Sequence, residues 1–435
     1  MSLFGALNTS VSGLAAQSTA FGNISDNVAN SQTVGFKAVD TSFIDYLTTS
    51  TAQQNQPGAV ATRPDYTNNV QGTVTTSTDP LALAIAGQGF FAVSEQNGTV
   101  AGSGGSLPSF SPQTYYTRAG DFQMDKNGYL VNSAGEFLQG WVVDPTTGVA
   151  NQSQLAPIQV TQTQFNPVAT SQVSLSANLP TSAATGTTSS SQVDVYDSLG
   201  NSHTVTMSWA QTSANSWTVT LSSPDASTTT IGSAQVNFGT GGAPAGTIGT
   251  FGATTGGVTA AAAAIGSPAN LTISTNFGAG AQTFALNMGN FGQANGVTQF
   301  AASTYSLRNI TQNGVPPGSF TGITMTAAGN VVANYNNGQS QTVAQIPVIT
   351  FAAPDALQRQ NGQAFTATTD SGNAIAQSAN TNGAGALVTG SVEESNVDIA
   401  TEFSKLIVAQ QAYGANAKML TTAQQLLQTT IDMKQ

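Results

Sequence analysis

The two ends of this 435-residue chain share one apolar rhythm that the sequence between them lacks. Apolar residues recur at alternating spacings of three and four, a period of 3.5 that is typical of a coiled-coil seam. The predicted seam residues are Phe4, Leu7, Val11, Leu14, Phe21 and Val28 near the N-terminus, and Ile399, Phe403, Leu406, Tyr413, Ala417, Leu420, Leu427 and Ile431 near the C-terminus. We therefore expect two terminal helices that pack against neighbours, including other copies of the chain. The alternative is a terminal helix docked on its own domain.

The long middle of the chain is rich in Gly, Thr, Ser and Ala and has the texture of β-strands. Only 7% of all residues are charged, against about 25% in a typical globular protein. The surface must therefore be largely polar but uncharged. Such a surface can pack against copies of itself with little desolvation of ions.

The charge balance and the rare residue types exclude several functions. A net charge of −11 argues against nucleic acid and against adsorption to anionic membranes. The chain has no Cys and one His, His203, so a Cys/His zinc site is impossible. No apolar run is long enough to insert into a membrane. Because residues 1–25 contain no charge, the basic region of a secretory signal is missing, and we expect export without a cleaved signal peptide.

The predicted fold is a mainly β, multi-domain core with α-helical N- and C-termini that form a coiled-coil-like inner domain. A chain of this length should split into several domains. The expected regions are the terminal helices (1–30 plus 391–435), a linker (31–70), a first β domain (71–158 plus 300–390) and a second β domain (159–299).

Alternation and turn residues predict several β elements. Hairpins are expected around Asp125-Lys126-Asn127-Gly128 and around Gly329-Asn330, and a three-strand meander is expected across residues 193–221. Residues 222–290 hold few large apolar groups, so short strands with long loops and partial disorder both stay open. Asn396 or Asp398 should cap the C-terminal helix.

No arrangement of reactive residues predicts chemistry. His203 is expected to be a solvated histidine at a strand edge. The adjacent carboxylates Glu393 and Glu394 precede a helix, so we interpret them as helix-terminus residues that favour the dipole rather than as a glycosidase pair. Gly87-Gln88-Gly89 is not followed by a phosphate-binding pattern. The sequence thus predicts no catalytic, cofactor or metal site and no enzyme.

Short motifs at both ends carry a family resemblance. Residues 29–37 (ANSQTVGFK) resemble the A-N-x-x-T-x-G-[FY]-[KR] signature of bacterial flagellar rod and hook proteins. Residues 390–398 (GSVEESNVD) resemble the same family's G-x-[LV]-E-x-S-N-V-D motif, and residues 410–418 are similar to its Q-R-A-Y-x-A-N-[AS]-[KR] helix, with Gln411 where Arg is common. The matching motif residues are Ala29, Asn30, Thr33, Gly35, Phe36, Lys37, Glu393, Ser395, Asn396, Val397 and Asp398.

The β core resembles the family as well, at Gly87–Phe91, Thr117–Phe122 and Gly128–Val131. Residues 195–203 (VYDSLGNSH), within an insertion, resemble the outer domain of hook subunits. This favours a subunit of the hook, with a subunit of the distal rod as the alternative.

The resemblance implies a helical homopolymer outside the cell, a flexible tube that transmits torque from the basal-body rod to the filament. It implies that the terminal helices form the inner tube and that residues 159–299 form the outer β domain. It also implies contacts with the distal rod, the hook cap and the hook–filament junction proteins, and export by the flagellar type III apparatus. From the residues alone, a carbohydrate-active enzyme and a monomeric adhesin remain open.

Overall fold

A computed structural model of the chain describes residues 3–50, 55–102, 105–181 and 184–433. The chain divides into two compact units. Unit 1 comprises Met1–Gln162, Gly322–Asn334 and Ser340–Gln435, and unit 2 comprises Thr163–Thr321 and Tyr335–Gln339.

The described residues form two α-helices, at the two ends of the chain, and many β-strands. The elements that precede unit 2 are α1 (Leu3–Ala29), β1 (Val39–Ser50), β2 (Asn55–Tyr66), β3 (Val74–Thr76), β4 (Leu83–Ala86), β5 (Phe91–Ser94), β6 (Gln96–Gly102), β7 (Gly105–Phe110), β8 (Tyr115–Thr117), β9 (Gln123–Met124), β10 (Leu130–Val131), β11 (Phe137–Val142) and β12 (Ala156–Pro157). The next strands are β13 (Gln172–Asn178), β14 (Thr188–Tyr196), β15 (Ser202–Ser213), β16 (Ser216–Ser222), β17 (Thr230–Phe238), β18 (Ile248–Gly256), β19 (Val258–Ala260), β20 (Pro268–Asn276), β21 (Ala281–Asn290) and β22 (Ser306–Gln312). The last elements are β23 (Phe320–Met325), β24 (Asn330–Tyr335), β25 (Ser340–Gln345), β26 (Val348–Thr350), β27 (Gln358–Arg359), β28 (Ala364–Thr366), β29 (Ile375–Gln377), β30 (Ala386–Thr389), β31 (Ser391–Glu393) and α2 (Ile399–Asp432). A mainly β core with helical termini is thereby confirmed.

The two terminal helices pack against each other in an antiparallel pair. A Cβ added at Gly13 would lie 2.9 Å from the Asn416 side chain, and the rings of Phe21 and Tyr413 meet edge to face at 6.2 Å. Further along, Asn27 of α1 bonds to Glu402 of α2. Residue numbers thus rise along one helix as they fall along the other.

The helix boundary near residue 399 follows from local capping. Asp398 is the N-cap of α2, and its carboxylate accepts a hydrogen bond from the Thr401 backbone N–H at 3.0 Å. This satisfies one of the N–H groups that a helix start leaves without a partner. Of the two caps that the sequence allowed, the structure selects Asp398.

The stretch predicted to be a linker contains a long β-hairpin. β1 and β2 pair antiparallel from Val39 opposite Tyr66 to Ser50 opposite Asn55. The hairpin lies along α1, and two hydrogen bonds join them. Asn8 donates to the Gly58 carbonyl, and Ser12 accepts from the Val60 N–H. An isolated two-stranded hairpin is marginal in water, so the helix supports it.

The body of unit 1 is an eleven-stranded sheet with small two-stranded sheets around it. Its main order is β23-β24-β25-β11-β5-β8-β28-β27, with β9, β10 and β12 attached beside β11. The predicted hairpin at Asp125–Gly128 is confirmed as β9–β10, and the one at Gly329-Asn330 is confirmed as β23–β24. Two further small sheets, β3–β31 and β4–β30, join the sequence near residue 80 to the segment before α2.

Unit 2 is built from two five-stranded sheets with a shared hydrophobic core. Their orders are β19-β20-β21-β13-β22 and β14-β15-β16-β17-β18, so the predicted meander is confirmed as β14–β15–β16. Trp209 and Trp217 are fully buried in this core with apolar residues from both sheets. Residues 222–290 form strands of up to ten residues, because alternate positions such as Val236, Leu271 and Leu286 supply the core.

His203 is buried, so the prediction of a solvated edge histidine was wrong. It lies on β15, which pairs with β14 on one side and β16 on the other. Its ring stacks on Phe277 at 4.4 Å, Nε2 lies 3.2 Å from Asp197 Oδ2, and Nδ1 lies 3.3 Å from Asp225 Oδ2. Phe277 and Asp225 lie outside the local turn that contains Asp197, which is why the turn pattern did not reveal that the ring is covered.

Candidate functional site

Three charged residues from distant motifs meet in the interior of unit 1. Glu393, at the end of β31, is fully buried, and its Oε1 and Oε2 bond to Lys37 Nζ at 2.5 Å and Arg118 Nη1 at 2.9 Å. Both cations are at most 2% exposed. Because an unpaired buried charge is very costly, this carboxylate is needed where it lies.

Backbone carbonyls accept further hydrogen bonds from the two cations, although the buried Arg118 Nε–H has no hydrogen-bond partner among the described residues. Lys37 also donates to the Val70 carbonyl at 2.6 Å, while Arg118 donates to the carbonyls of Ile85 at 3.2 Å and Gly87 at 2.7 Å. The Gly72 N–H donates to Glu393 Oε1 at 2.8 Å. The cluster thus joins five stretches of chain by charge-assisted hydrogen bonds.

Desolvation dominates the electrostatics of this cluster. Burial lowers the pKa of Lys37 and the pKa of Arg118, since a cation loses water in the interior, and the charge of Glu393 opposes both changes. The one carboxylate faces two cations and accepts three hydrogen bonds, from Lys37, Arg118 and the Gly72 N–H. The arrangement is suited to fixing structure rather than to acid–base chemistry.

Asn396 and Gly35 add hydrogen bonds beside this cluster, and backbone groups take part in them. Asn396 Oδ1 accepts from the Ala38 N–H at 2.7 Å, and its amide group donates to Thr67 and to the Val70 carbonyl. Gly35 donates its N–H to the Glu393 carbonyl at 2.8 Å with a φ of 70°. A Cβ at Gly35 would lie 2.4 Å from the Ala119 nitrogen, so only glycine fits. We call Gly35, Lys37, Arg118, Glu393 and Asn396 the junction.

The interpretation of Glu393 and Glu394 as helix-terminus residues was wrong, because α2 begins only at Ile399 and its N-cap is Asp398. Glu393 belongs to β31 and neutralises buried cations, whereas Glu394 is exposed and accepts a hydrogen bond from Thr75. Adjacent residues of a strand point to opposite faces, so one carboxylate enters the core and its neighbour meets solvent.

A second polar cluster ties the helix pair to the hairpin. Asn27 donates to Glu402 Oε2 at 3.1 Å and to the Val39 carbonyl at 3.0 Å, and it accepts from the Val39 N–H. Lys405 bonds to Glu402 at 2.8 Å and to Asp40. Burial lowers the pKa of Lys405, but its bonds to the two carboxylates outweigh this, and the net change is upward.

The remaining motif residues shape the chain between α1 and the junction. Thr33 bonds to Asn30, and Asn30 in turn donates back to Asp26 near the end of α1. Phe36 is buried beneath the guanidinium of Arg359 at 4.9 Å. Ala29 ends α1, Ser395 accepts from the Val397 N–H, and Asp398 caps α2.

Five polar residues at these clusters were absent from the predicted site: Asn27, Asp40, Arg118, Glu402 and Lys405. One feature of the sequence could have pointed to the cations of these clusters: the chain has only nine Lys and Arg residues in total. Three of those nine, Lys37, Arg118 and Lys405, lie in these two clusters. In a chain so poor in charge, each cation is a candidate for a specific partner.

The face of α1 that turns inward carries small side chains. Ser10, Gly13, Ala16 and Ala20 are buried there, followed by Ile24 and Asn27. On α2 the buried positions include Ala409 and Ala423. Small residues let the elements approach closely, but they bury little apolar area.

Many large apolar side chains of the helices face outward instead. Of the predicted seam residues, Phe4, Val11, Ile399, Phe403, Tyr413 and Ile431 are exposed, while Leu7, Leu14, Phe21, Val28, Leu406, Ala417, Leu420 and Leu427 are half-buried. Ile407, Val408, Met419, Leu426 and Met433 are exposed on α2 as well. We call these eleven exposed side chains on α1 and α2 the outer apolar face. Exposed patches of this kind mark interaction surfaces.

Two other kinds of site are absent from the part of the chain that the structure describes. No helix there is both long enough and apolar enough to cross a membrane. No three or more His, Asp or Glu side chains there are placed to hold a metal ion.

Sequence profiles of four protein families match consecutive parts of the chain. They are described as Flagella basal body rod protein (residues 7–37), Flagellar hook protein FlgE/F/G D1 domain (84–178), Flagellar basal body protein FlaE D2 domain (160–315) and Flagellar basal body rod FlgEFG protein C-terminal (388–433). The first and last matches contain the motif residues that surround the junction.

Curated proteins match over essentially the whole length. The proteins named Flagellar hook protein FlgE are 32% identical in Brucella abortus, with 100% of each chain covered, and 31% identical in Salmonella typhimurium, with 98% of each covered. The Escherichia coli K12 protein of the same name is 30% identical over 99% of this chain and 100% of its own.

Proposed function

Because this chain belongs to the flagellar hook protein family and is a structural subunit of the hook, we propose that its helix pair builds the inner tube of a helical homopolymer. The outer apolar face supplies the contacts between copies. The distal-rod alternative is set aside, since the matching relatives carry the hook name. The family is a structural one and not an enzyme family.

One observation carries this proposal: the helices expose many of their large apolar side chains, while most of their buried apolar positions hold small ones. Phe4 is 74% exposed, Phe403 52% and Val408 65%. Removing such a side chain from water is worth about 1.5–3 kcal/mol. A subunit that leaves several of them in solvent gains stability only when other copies cover them.

The β units are proposed to serve the mechanics of the tube. The helical base gives a continuous stiff core, whereas the β surfaces, with few charges, slide past those of neighbouring copies. Polar contacts without ions break and form again at low cost, because no charge is desolvated or exposed. In this scheme residues 31–70 connect the base, 71–158 plus 300–390 form the first β domain and 159–299 form the outer one. Such a tube bends while it transmits torque from rod to filament.

Membership of this family also supports proposals about the partners of the chain and its export. The hook is an extracellular-facing part of the flagellum, and its subunits belong to an axial polymer. We propose end contacts with the distal rod, the hook cap and the hook–filament junction proteins. We also propose export through the flagellar type III apparatus without signal cleavage. The mass of the subunit in isolated hooks tests this directly, because cleavage would reduce it.

The test of the proposed function compares the full chain with a variant that lacks residues 3–25. Electron microscopy should show curved hollow tubes for the full chain and no polymer for the variant. The variant should still show cooperative unfolding of unit 2, monitored by the buried Trp209 and Trp217. Normal tubes from the shortened chain would contradict the proposal.

A further inference from the structure

A groove of about 680 Å³ lies where α1, β1 and α2 meet in unit 1. Its apolar lining includes Ala20 and Ile24 of α1, Phe43 of β1 and Val408 and Ala409 of α2. Phe43 is 47% exposed and Val408 65% exposed, so the groove is open. Its volume is within the range of pockets that bind ligands, about 300–1,000 Å³.

Charge does not prevent an apolar segment from entering this groove. Asp40 and Lys405 both line it, and they neutralise each other by a direct ion pair. Apart from this pair, the one charged lining residue is the exposed Asp65, while Gln17, Asn23 and Ser404 on the rim are uncharged. An occupant without charge would leave this pair intact and would desolvate no ion of its own.

The chain itself carries a segment that fits this description. Residues 1–25 contain no charged side chain. Phe4 is 74% exposed, the highest value for an aromatic residue in the described part of the chain, and Val11 is 52% exposed. Leu7 lies between them at helical spacing. By contrast, the exposed residues in the second half of α2 share that helix with Lys418 and Asp432.

A chain cannot place this segment in its own groove. Phe4 and Ala20 are sixteen residues apart on the same straight helix, which corresponds to about 24 Å at 1.5 Å per residue. The segment and the groove therefore lie toward opposite ends of α1. Only another copy can bring the two together.

We propose that Phe4, Leu7 and Val11 of one copy fill the groove beside Ala20 and Val408 of the next copy. This inference rests on the proposed self-assembly, and it adds which surface of one copy contacts which surface of the next. The contact joins two different surfaces, so it is heterologous and leaves one free segment and one free groove at the ends of every oligomer. Such contacts produce open helical polymers unless the rotation closes a ring.

Engineered cysteines test the pairing without background, because the chain has no native Cys. The test variant carries Phe4→Cys and Val408→Cys, and its polymer, formed in vitro or sheared from producing cells, is oxidised and run on a denaturing gel. Disulfides require Cα atoms within about 7 Å. Since each copy uses both cysteines with different neighbours, we expect a ladder of covalent multimers.

Three control chains separate this pairing from others. The single variants Phe4→Cys and Val408→Cys should stay monomeric, whereas a symmetric contact would give dimers. The pair Phe4→Cys with Val142→Cys keeps the segment but moves the second cysteine to an exposed strand position outside the groove. It should give no ladder. Dimers from either single variant, or equal ladders from both pairs, would overturn the inference.

A second measurement keeps the two proposals distinguishable. Val408→Asp places a charge in the open groove and should raise the concentration needed for polymerisation at least tenfold, while Val142→Asp should change it less than twofold. Polymers without a ladder, or equal effects of the two substitutions, would reject the pairing and leave self-assembly standing. If the unsubstituted chain forms no polymer in vitro or in cells, both proposals are wrong.

Discussion

Among single residues, Glu136 is the carboxyl group with the most altered ionisation in unit 1. It is 3% exposed, and it receives one hydrogen bond on Oε2, from Asn132 at 2.8 Å. Burial raises the pKa of Glu136 to about 7, the Asn132 bond opposes this, and the charges of Glu95 and Asp121 add to it. A proton bound near neutral pH is therefore linked to the folded state.

This linkage predicts a fall in stability as pH rises. The usual pKa of this side chain is 4.5, so between about pH 4.5 and pH 7 the folded chain keeps a proton that the unfolded chain releases. The rise to about 7 corresponds to about 3 kcal/mol of stability, present below pH 4.5 and lost above pH 7. Glu136→Gln removes the titrating group. Its free energy of unfolding relative to the parent should therefore rise by about 3 kcal/mol as the pH goes from about 4.5 to about 8, measured by denaturant unfolding. Exposed Glu394→Gln is the matched control, because Glu394 is not among the charges that act on Glu136, and an equal gain there would refute the assignment.

At the scale of elements, the junction holds the start of α2 and the exit from α1 to one position in the sheet. β31 pairs with β3, and Glu393 at its end reaches Lys37 and Arg118. Only five residues lie between Glu393 and Ile399, the first residue of α2. Orientation of the helix pair thus depends on a buried ion cluster rather than on a wide apolar contact.

Glu393→Gln should therefore destabilise unit 1 by about 3–5 kcal/mol, since two buried cations lose their counter-charge. Glu394→Gln, one residue further on, should change stability by less than about 0.5 kcal/mol because that side chain is exposed. Denaturant unfolding of the two full-length variants measures the difference. Similar losses in both would show that the cluster is not needed for stability.

The sequence predicted elements better than it predicted their partners. The 3.5-residue period gave both helices, and alternation gave the β9–β10 and β23–β24 hairpins. The same period serves packing within one chain and packing between copies, so it did not show that Ala16 and Ala20 face inward while Phe4 faces outward. The pairing of β1 with β2 was missed because residues 31–70 were predicted to be a linker.

At the scale of the whole molecule, the low content of charged residues limits the effect of salt on polymerisation. Surface ion pairs weaken as salt rises, since the screening length falls from about 10 Å at 0.1 M to about 3 Å at 1 M. Contacts made by the outer apolar face contain few ions to screen. The concentration needed for polymerisation should change less than about twofold between about 0.05 and about 0.5 M NaCl, measured by sedimentation. A tenfold change would indicate that charged surfaces govern assembly.

Motif order along the chain predicted the family, but not why the motifs belong together. Lys37, Arg118 and Glu393 are separated by long β segments, and a pattern of spacings contains no information on which side chains share an interior. Their meeting depends on β31 pairing with β3 and on the loop after β8 lying beside Gly35. Only tertiary structure brings these conditions together.

The junction also has a mechanical meaning. The chain passes from the helix pair into the sheets of unit 1 through two segments, one after α1 and one before α2, and both are held by Glu393 and Asn396. In an engineer's terms this is a clamped joint and not a swivel. Compliance in a bending tube would then come from slip between neighbouring subunits, while each subunit passes load through its clamp without yielding.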